Sequence, residues 1–254
     1  MERGILFIER IFRRMKVLEL FAGSRSFSKV AEELGMETYT TDFSDFKGID
    51  LVKDILDVNA TDIQKEFGIP DVIWASPPCT TFSVASIGHH WTGGKESYTP
   101  KTDKCRNNIN VVKKSNSIIK YFLHRNPKLL YYIENPRGVL RKLPIMDWTE
   151  YRRTIWYCQY GDLRAKPTDI WTNDFNWIPR PVCKNGNRNC HHEPAPRGSK
   201  TGTQGLKGNY ERSIVPPELC REILSRIKKT PLMKLHDKSN QIYEKLESLL
   251  GDTK

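Results

Sequence analysis

The chain has 254 residues, a formal net charge of +11, and 38% hydrophobic residues, of which a good share are aromatic. This is enough apolar material to build the core of one large domain, and no apolar run is long enough to span a membrane. The surplus of lysine and arginine favours a polyanionic partner, since these cations displace condensed counterions from phosphates. The opening stretch, Met1 to Arg14, is a short apolar run broken by charge, without a small-residue cleavage site. It reads as an amphipathic lead-in and not as a signal peptide, or else translation begins at Met15. Six cysteines, at 79, 105, 158, 183, 190 and 220, are too scattered to resemble a disulfide scaffold. They point to a reducing cytoplasm, in which Cys79 is a free thiol.

Lys16 to Phe21 predicts a buried first strand, and Ala22 to Ser26 a turn of small residues. Phe27 to Leu34 has helical spacing and is closed by Gly35. A second strand, Glu37 to Thr41, is followed by Asp42. Strand, small-residue turn, helix, strand and acidic residue make a nucleotide-type βαβ unit. Asp50 to Asp54 ends a loop, and Thr61 is placed to cap a helix over Asp62 to Phe67. Asp71 to Ala75 is a strand, Asn107 to Arg125 a long helix, and Lys128 to Ile133 a strand ending at Glu134-Asn-Pro136. Such alternation predicts a mainly parallel α/β sheet covered on both faces. Ligands in such sheets bind beyond the carboxyl ends of the strands, where Phe21, Asp42, Cys79 and Glu134 all fall. From Pro179 to 210 the chain turns rich in Pro, Gly and basic residues and reads as an irregular insertion. Glu218 to Lys228 is an amphipathic helix, and the charged tail from Thr230 has helical spacing at Ile242, Leu246 and Leu249.

Ser76-Pro-Pro-Cys-Thr-Thr-Phe-Ser83 is the most informative segment. Two consecutive prolines fix two φ angles and remove two donors, so Cys79 sits on a stiffened loop just past a strand. Stiffness suits a nucleophile, which needs a defined attack geometry. A carboxylate, Glu134, stands at the end of a second strand.

Taken in order, these pieces resemble the DNA cytosine-5 methyltransferases, and more narrowly their short phage-encoded members. Leu18-Glu-Leu-Phe-Ala-Gly-Ser24 is similar to the family's cofactor turn, Asp42 to its acidic residue after strand two, and Lys53-Asp-Ile55 to its third cofactor element. The Cys79 loop resembles the nucleophile loop, Ile133-Glu-Asn-Pro136 the Glu-Asn element, and Arg212-Ser-Ile-Val-Pro-Pro-Glu218 the last cofactor-side motif. The resemblance spans residues 16–227. It implies a Rossmann-like class I S-adenosylmethionine-dependent methyltransferase fold and methyl transfer to C5 of cytosine in double-stranded DNA. Cys79 would add to C6 and make C5 enamine-like. Glu134 would hold the N3/N4 edge and place a proton on N3. In place of the family's Gln-x-Arg-x-Arg element the chain has Arg164-x-Lys166, which puts Arg164, with Lys166 as the alternative, on the base carbonyl. Phe21, Ala22, Gly23, Ser24, Asp42, Asp54, Pro77 and Ser213 would line the S-adenosylmethionine site. Asp42 would take the ribose hydroxyls and Asp54 the adenine amino group. Pro78, Ser83, Asn135, Lys166, Arg197 and Lys200 would face the nucleic acid. The glycine-rich turn of the family is reduced to Gly23 followed by Ser24-Arg25-Ser26, and no Gly-x-Gly-x-x-Gly dinucleotide fingerprint is present.

The implied organisation is a catalytic part over 1–178, a short target-recognition insertion over 179–210 and a helical segment over 211–254 that completes the catalytic part. Cys183-x6-Cys190-His191-His192 invites a zinc reading, with Cys183, Cys190 and His191 as ligands, but the spacing departs from Cys-x2–4-Cys and supplies no fourth ligand. Arg180, Lys184, Arg188 and Lys207 suit phosphates. Ser86 to Trp91 and the 197–207 loop are placed to fill the gap left by a flipped base. No membrane and no obligate protein partner are implied. The residues leave open the same chemistry on RNA, transfer of a group other than methyl, and a non-catalytic DNA-binding relic of the fold.

Overall fold

The computed structural model describes residues 14–94, 97–184, 186–194 and 209–228. The lead-in, Arg197, Lys200, Lys207 and the tail helix expected after Thr230 lie outside the described residues. The elements are β1 (Lys16–Leu20), α1 (Ser26–Glu33), β2 (Glu37–Asp42), β3 (Leu51–Val52), α2 (Ala60–Glu66), β4 (Val72–Ala75), α3 (Ile87–His90), β5 (Trp91–Gly94), β6 (Ser97–Pro100), α4 (Asp103–Arg125), β7 (Leu130–Pro136), β8 (Tyr151–Trp156), β9 (Pro167–Thr172) and α5 (Asn209–Ser213), followed by a last helix, α6, over residues 217–228.

Seven strands form one sheet in the order β3-β2-β1-β4-β7-β9-β8. The first five run parallel, and β9 slots in antiparallel between β7 and β8. This is the Rossmann-like class I methyltransferase arrangement, with one reversed strand near an edge. The central strands are apolar nearly throughout because both faces are covered. Along β1 and β4, Leu18, Leu20, Ile73 and Ala75 point into one core layer, with Ile63 of α2 and Val112, Ile119 and Phe122 of α4. Val17, Val72 and Trp74 point the other way, into a layer closed by Phe27 and Val30 of α1 and by Leu219, Ile223 and Leu224 of α6. The alternation is the period-two geometry of a strand. Trp74 is fully buried and stacks on Phe27 with ring centroids 4.6 Å apart. The second layer thus joins α6, which follows the insertion, to β1 and α1.

Several boundaries differ from the sequence reading. α4 starts at Asp103, because the Thr102 hydroxyl accepts from the Cys105 N–H and caps the helix four residues before the predicted start. Thr61 lies inside α2, whose first turn follows Asn59. β7 runs on through Glu134 to Pro136, because β9 pairs with it from Tyr132 to Pro136. Residues 51–52, read as loop, add a short edge strand beside β2. The β5–β6 hairpin and β8 had no counterpart in the predicted elements.

Candidate active site

The turn after β1 is built around backbone of unusual hand. Phe21 and Gly23 have φ of +60° and +43°, a region that costs glycine little and other residues more. The turn is tied to β2 by the Ala22 N–H to the Thr41 carbonyl at 2.9 Å and the Gly23 N–H to Asp42 Oδ2 at 3.0 Å. Asp42 Oδ1 accepts from the Ser44 N–H at 2.9 Å. Burial pushes the Asp42 carboxyl up, and these backbone N–H groups pull against it. A Cβ on Gly23 would lie 3.7 Å from Ser213 Oγ and 3.8 Å from Asp42 Oδ2. The turn, the end of β2 and Ser213 therefore border one small space. Ser24 is nearly buried and bonded to Ser26 Oγ at 2.7 Å, and Ser26 Oγ accepts from the Val215 N–H at 3.1 Å. Asp54 is exposed on the same rim, where Oδ1 caps a one-turn helix at the Leu56 N–H.

Two residues of this region were not singled out from sequence. Glu19 is 3% exposed, and its two oxygens accept from the Phe27 and Ser28 N–H groups at 3.2 and 2.8 Å. It caps α1 from inside the sheet, a task for which Arg25, at the usual cap position, offers no side-chain bond. A lone acid amid Val-Leu-Glu-Leu-Phe was the available signal. Phe43, next to Asp42, is 74% exposed. A large ring left in solvent at a strand's carboxyl end suits stacking against a flat ligand.

The Cys79 loop leaves β4 and folds back at once. The Cys79 carbonyl accepts from both the Phe82 and Ser83 N–H groups, at 3.0 and 3.1 Å. Three contacts fix the turn from outside. Trp91 Nε1 donates to the Thr81 carbonyl at 2.6 Å, Asn108 Nδ2 of α4 to Thr81 Oγ1 at 3.0 Å, and the Val139 N–H to the Phe82 carbonyl at 2.7 Å. Gly138 permits the last, since a Cβ there would stand 2.0 Å from that carbonyl oxygen. Pro77 is buried and Pro78 half-buried, and the Pro77 carbonyl accepts from Asn135 Nδ2 at 2.9 Å. Asn135, fully buried, thus locks the loop. Ser83 bridges to Gly138 and bonds Ser86, so it too serves the loop.

Glu134 lies on β7, the strand next to β4, and is 5% exposed. Tyr157 donates its O–H to Glu134 Oε1 at 2.9 Å, and Lys166 Nζ stands 3.6 Å from the same oxygen. The ammonium also lies over the Tyr157 ring at 4.3 Å and bonds the Arg212 carbonyl at 3.3 Å. Burial pushes the Tyr157 phenol well up and Glu134 pushes it further, so it remains a donor. Burial likewise pushes the Cys79 thiol up. Lys166 is the strongest influence pulling it back, Glu134 raises it and Arg212 lowers it. Cys79, Glu134 and Lys166 therefore influence one another at the carboxyl ends of β4 and β7.

Arg164 lies beside them, 5.5 Å from the centre of the Tyr157 ring, but is committed elsewhere. Its guanidinium is held by Asp162, with Nε 2.8 Å from Oδ1, and by the Glu211, Arg212 and Ile214 carbonyls at 3.0–3.3 Å. A guanidinium spent this way has no fork left for a base, and it pins the α5 end of the chain instead. The correction follows from Asp162, which lies two residues away and captures Arg164, whereas Lys166 has φ of +25° and is turned to Glu134. Of the paired histidines, His191 is exposed and bonded to the Asp162 carbonyl at 3.1 Å, while His192 is buried.

No family model matches the chain. A probable DNA (cytosine-5)-methyltransferase of frog virus 3 (isolate Goorha) is 31% identical over 226 residues, covering 83% of this chain and 99% of the viral protein. The chain belongs to the cytosine-5 methyltransferase family. As a member of it, the chain is an enzyme that uses S-adenosylmethionine to methylate cytosine. Solved structures similar to it include a mutant of Spodoptera frugiperda DNMT2, 18% identical with a TM-score of 0.41, covering 67% of this chain and 56% of that one. Another is the Entamoeba histolytica methyltransferase EhMeth, 15% identical with a TM-score of 0.43, covering 68% and 57%. Among the described residues no helix is long and apolar enough to cross a membrane.

The rim fits the methyl donor on its own chemistry. Gly23 leaves a space that a single Cβ would begin to fill, and a carboxylate and an exposed aromatic ring stand beside it.

Proposed function

We propose that this cytosine-5 methyltransferase acts on double-stranded DNA through a covalent bond between Cys79 Sγ and C6 of the base. The observation that carries the proposal is the convergence of these groups at the ends of β4 and β7. A stiffened thiol and a buried carboxylate come from adjacent parallel strands, with one ammonium acting on both. The net charge of +11 and the name of the viral relative support DNA as the substrate.

Bound S-adenosylmethionine supplies an electrophilic methyl group. Phe21, Ala22, Gly23, Ser24, Asp42, Asp54, Pro77 and Ser213 would hold it, with Phe43 added as a stacking face for its flat ring. Cys79 adds as the thiolate to C6, which breaks the aromaticity and makes C5 nucleophilic. Glu134 places a proton on N3 as the ring gains electron density. Tyr157 and Lys166 both meet Oε1, which leaves Oε2 to face the base. Lys166 favours the thiolate and fixes the carboxylate. Once C5 has gained the methyl group, loss of the C5 proton to solvent, with return of the N3 proton to Glu134, expels the Cys79 thiolate and restores the ring. Pro78, Ser83 and Asn135 act by holding the loop in place, and Arg197 and Lys200 serve phosphates.

A duplex bearing 5-fluorocytosine tests this directly, because fluorine at C5 cannot leave as a proton. With S-adenosylmethionine the protein should form a denaturant-stable adduct that Cys79→Ser abolishes. An adduct surviving that change would rule out the nucleophile. Competition with unlabelled duplex and with tRNA decides the substrate, and label found on tRNA alone would overturn the DNA assignment.

A further inference from the structure

Away from the cytosine pocket, four side chains converge on one point. The ligating atoms of Cys158, Cys183, Cys190 and His192 all lie within 4.8 Å of one another. Cys158 comes from the single turn after β8, and the other three come from the insertion, 25 to 34 residues further on. None of the six cysteines is joined to another. The sulfurs sit in a small apolar cluster with Trp156 and Ala165.

We infer that these four residues form a closed zinc site that staples the recognition insertion to the catalytic sheet. Three thiolates and one imidazole are a soft, four-donor set, the pattern of structural zinc. With a zinc–sulfur bond of about 2.3 Å and a zinc–nitrogen bond of about 2.0–2.1 Å, the sulfur-to-nitrogen edge of a tetrahedral site is about 3.5 Å. Cys183 Sγ and His192 Nδ1 stand 3.8 Å apart, within a few tenths of an ångström of that edge. The surroundings suit thiolates. Gln159 Nε2 lies 3.9 Å from Cys158 Sγ and 4.0 Å from Cys190 Sγ, and Asn187 Nδ2 lies 3.4 Å from Cys183 Sγ. Each sulfur therefore faces a side-chain amide N–H, as metal-bound sulfurs do. His192 is 5% exposed, and its Nδ1 is turned toward Cys183 Sγ, as a ligand nitrogen must be. On binding, the three thiols give up their protons to solvent. The ligand set corrects the sequence reading at two positions: His192 replaces His191, and Cys158 is the missing fourth ligand.

The test uses the full-length protein, purified with reductant, supplied with zinc and then freed of excess, and its readout is metal content, independent of methylation. Mass spectrometry should find about one zinc per chain. Cobalt in its place should give the intense sulfur-to-metal charge transfer and visible bands of a tetrahedral site. Cys190→Ser and His192→Ala should lose at least about tenfold in metal affinity, while His191→Ala and Cys220→Ser should keep the metal. Cys158 is deeply buried and its variant is exposed to misfolding, so His192→Cys serves as the second probe: it should retain cobalt with stronger charge transfer. Chelation should lower the melting temperature by about 5 °C or more. A chain that stays below about 0.1 equivalent of zinc, a disulfide among the three cysteines in the reduced preparation, or metal lost with His191→Ala and kept with His192→Ala would overturn the inference.

Discussion

Lys166→Met isolates the part played by charge in the cytosine pocket, because it keeps the length of the side chain and removes the ammonium. At 3.6 Å and an effective dielectric of about 20, the gross attraction between Lys166 and Glu134 is about 4–5 kcal/mol. Both side chains are nearly buried, so solvent screens this little, but desolvation of the pair offsets much of it. The measurable loss is the support given to charge as it develops on the base and the sulfur. Removal of one preorganised group of this kind costs about 3–4 kcal/mol, a fall of about 10² to 10³ in kcat. The same ammonium is the strongest influence pulling the Cys79 thiol down, so its loss raises that thiol further. The acid limb of the rate of adduct formation should then move to higher pH. The assay is single-turnover trapping on a 5-fluorocytosine duplex between pH 6 and 10, for the wild type, Lys166→Met and Lys166→Arg, with circular dichroism to verify folding. Lys166→Arg should recover part of the rate and most of the limb position. A folded Lys166→Met protein with an unmoved limb and a rate within about threefold of wild type would refute the reasoning, because the pocket would then not depend on that charge.

Burial pushes the Glu19 carboxyl from 4.5 up to about 7. The folded state therefore binds this proton more tightly than the unfolded state, and the associated stability is complete below about pH 4.5 and lost as pH rises through about 7. The difference is worth about 3 kcal/mol; urea midpoints between pH 4.5 and 8 should fall more steeply for the wild type than for Glu19→Gln, and parallel slopes would contradict it. Gly138→Ala forces a Cβ to within 2.0 Å of the Phe82 carbonyl oxygen. It should destabilise the chain by about 1–3 kcal/mol and cut kcat more than KM for DNA, which a thermal melt and initial rates check together. Phe43→Ala should weaken S-adenosylmethionine about tenfold by calorimetry, a loss of about 1.4 kcal/mol from stacking and apolar contact, with melting temperature unchanged.

The parallel half of the sheet was legible because its strands are short apolar runs bounded by turn residues, and because local order dictates a βαβ unit. The reversed strand was not, since β9 enters between β7 and β8 by long-range pairing that no local pattern encodes. The stiffened Cys79 loop was readable from its prolines. Its reading as a nucleophile loop needed the order of the motifs around it, because an isolated Pro-Pro-Cys reads first as a small buried cysteine. The choice between Arg164 and Lys166 could not be read. Residues two apart on an extended segment share a face, so alternation treats them alike. Asp162, two residues upstream, and the left-handed backbone at Lys166 separate them. Tyr157 escaped notice for a related reason. Its role depends on meeting Glu134, 23 residues earlier, across the sheet.

The turn after β8 joins the two halves of the molecule's chemistry. Tyr157 points its hydroxyl at Glu134, and the next residue, Cys158, points into the sulfur cluster. One peptide unit therefore separates the group that bonds the Glu134 carboxylate from the group that meets the insertion. The Arg164–Glu193 bridge and the Glu193 N–H to the Leu163 carbonyl, at 2.9 Å, tie the insertion to the same segment a second time. A hydrogen bond of 2.9 Å weakens steeply when stretched by half an ångström or bent. A small displacement of the turn is thus enough to take the Tyr157 hydroxyl from Glu134 Oε1, leaving that oxygen to Lys166. The placement of the insertion and the orientation of the carboxylate are set by one turn of chain. An insertion this short gains from such anchoring, because a short segment has little apolar surface with which to hold a fixed position by packing alone.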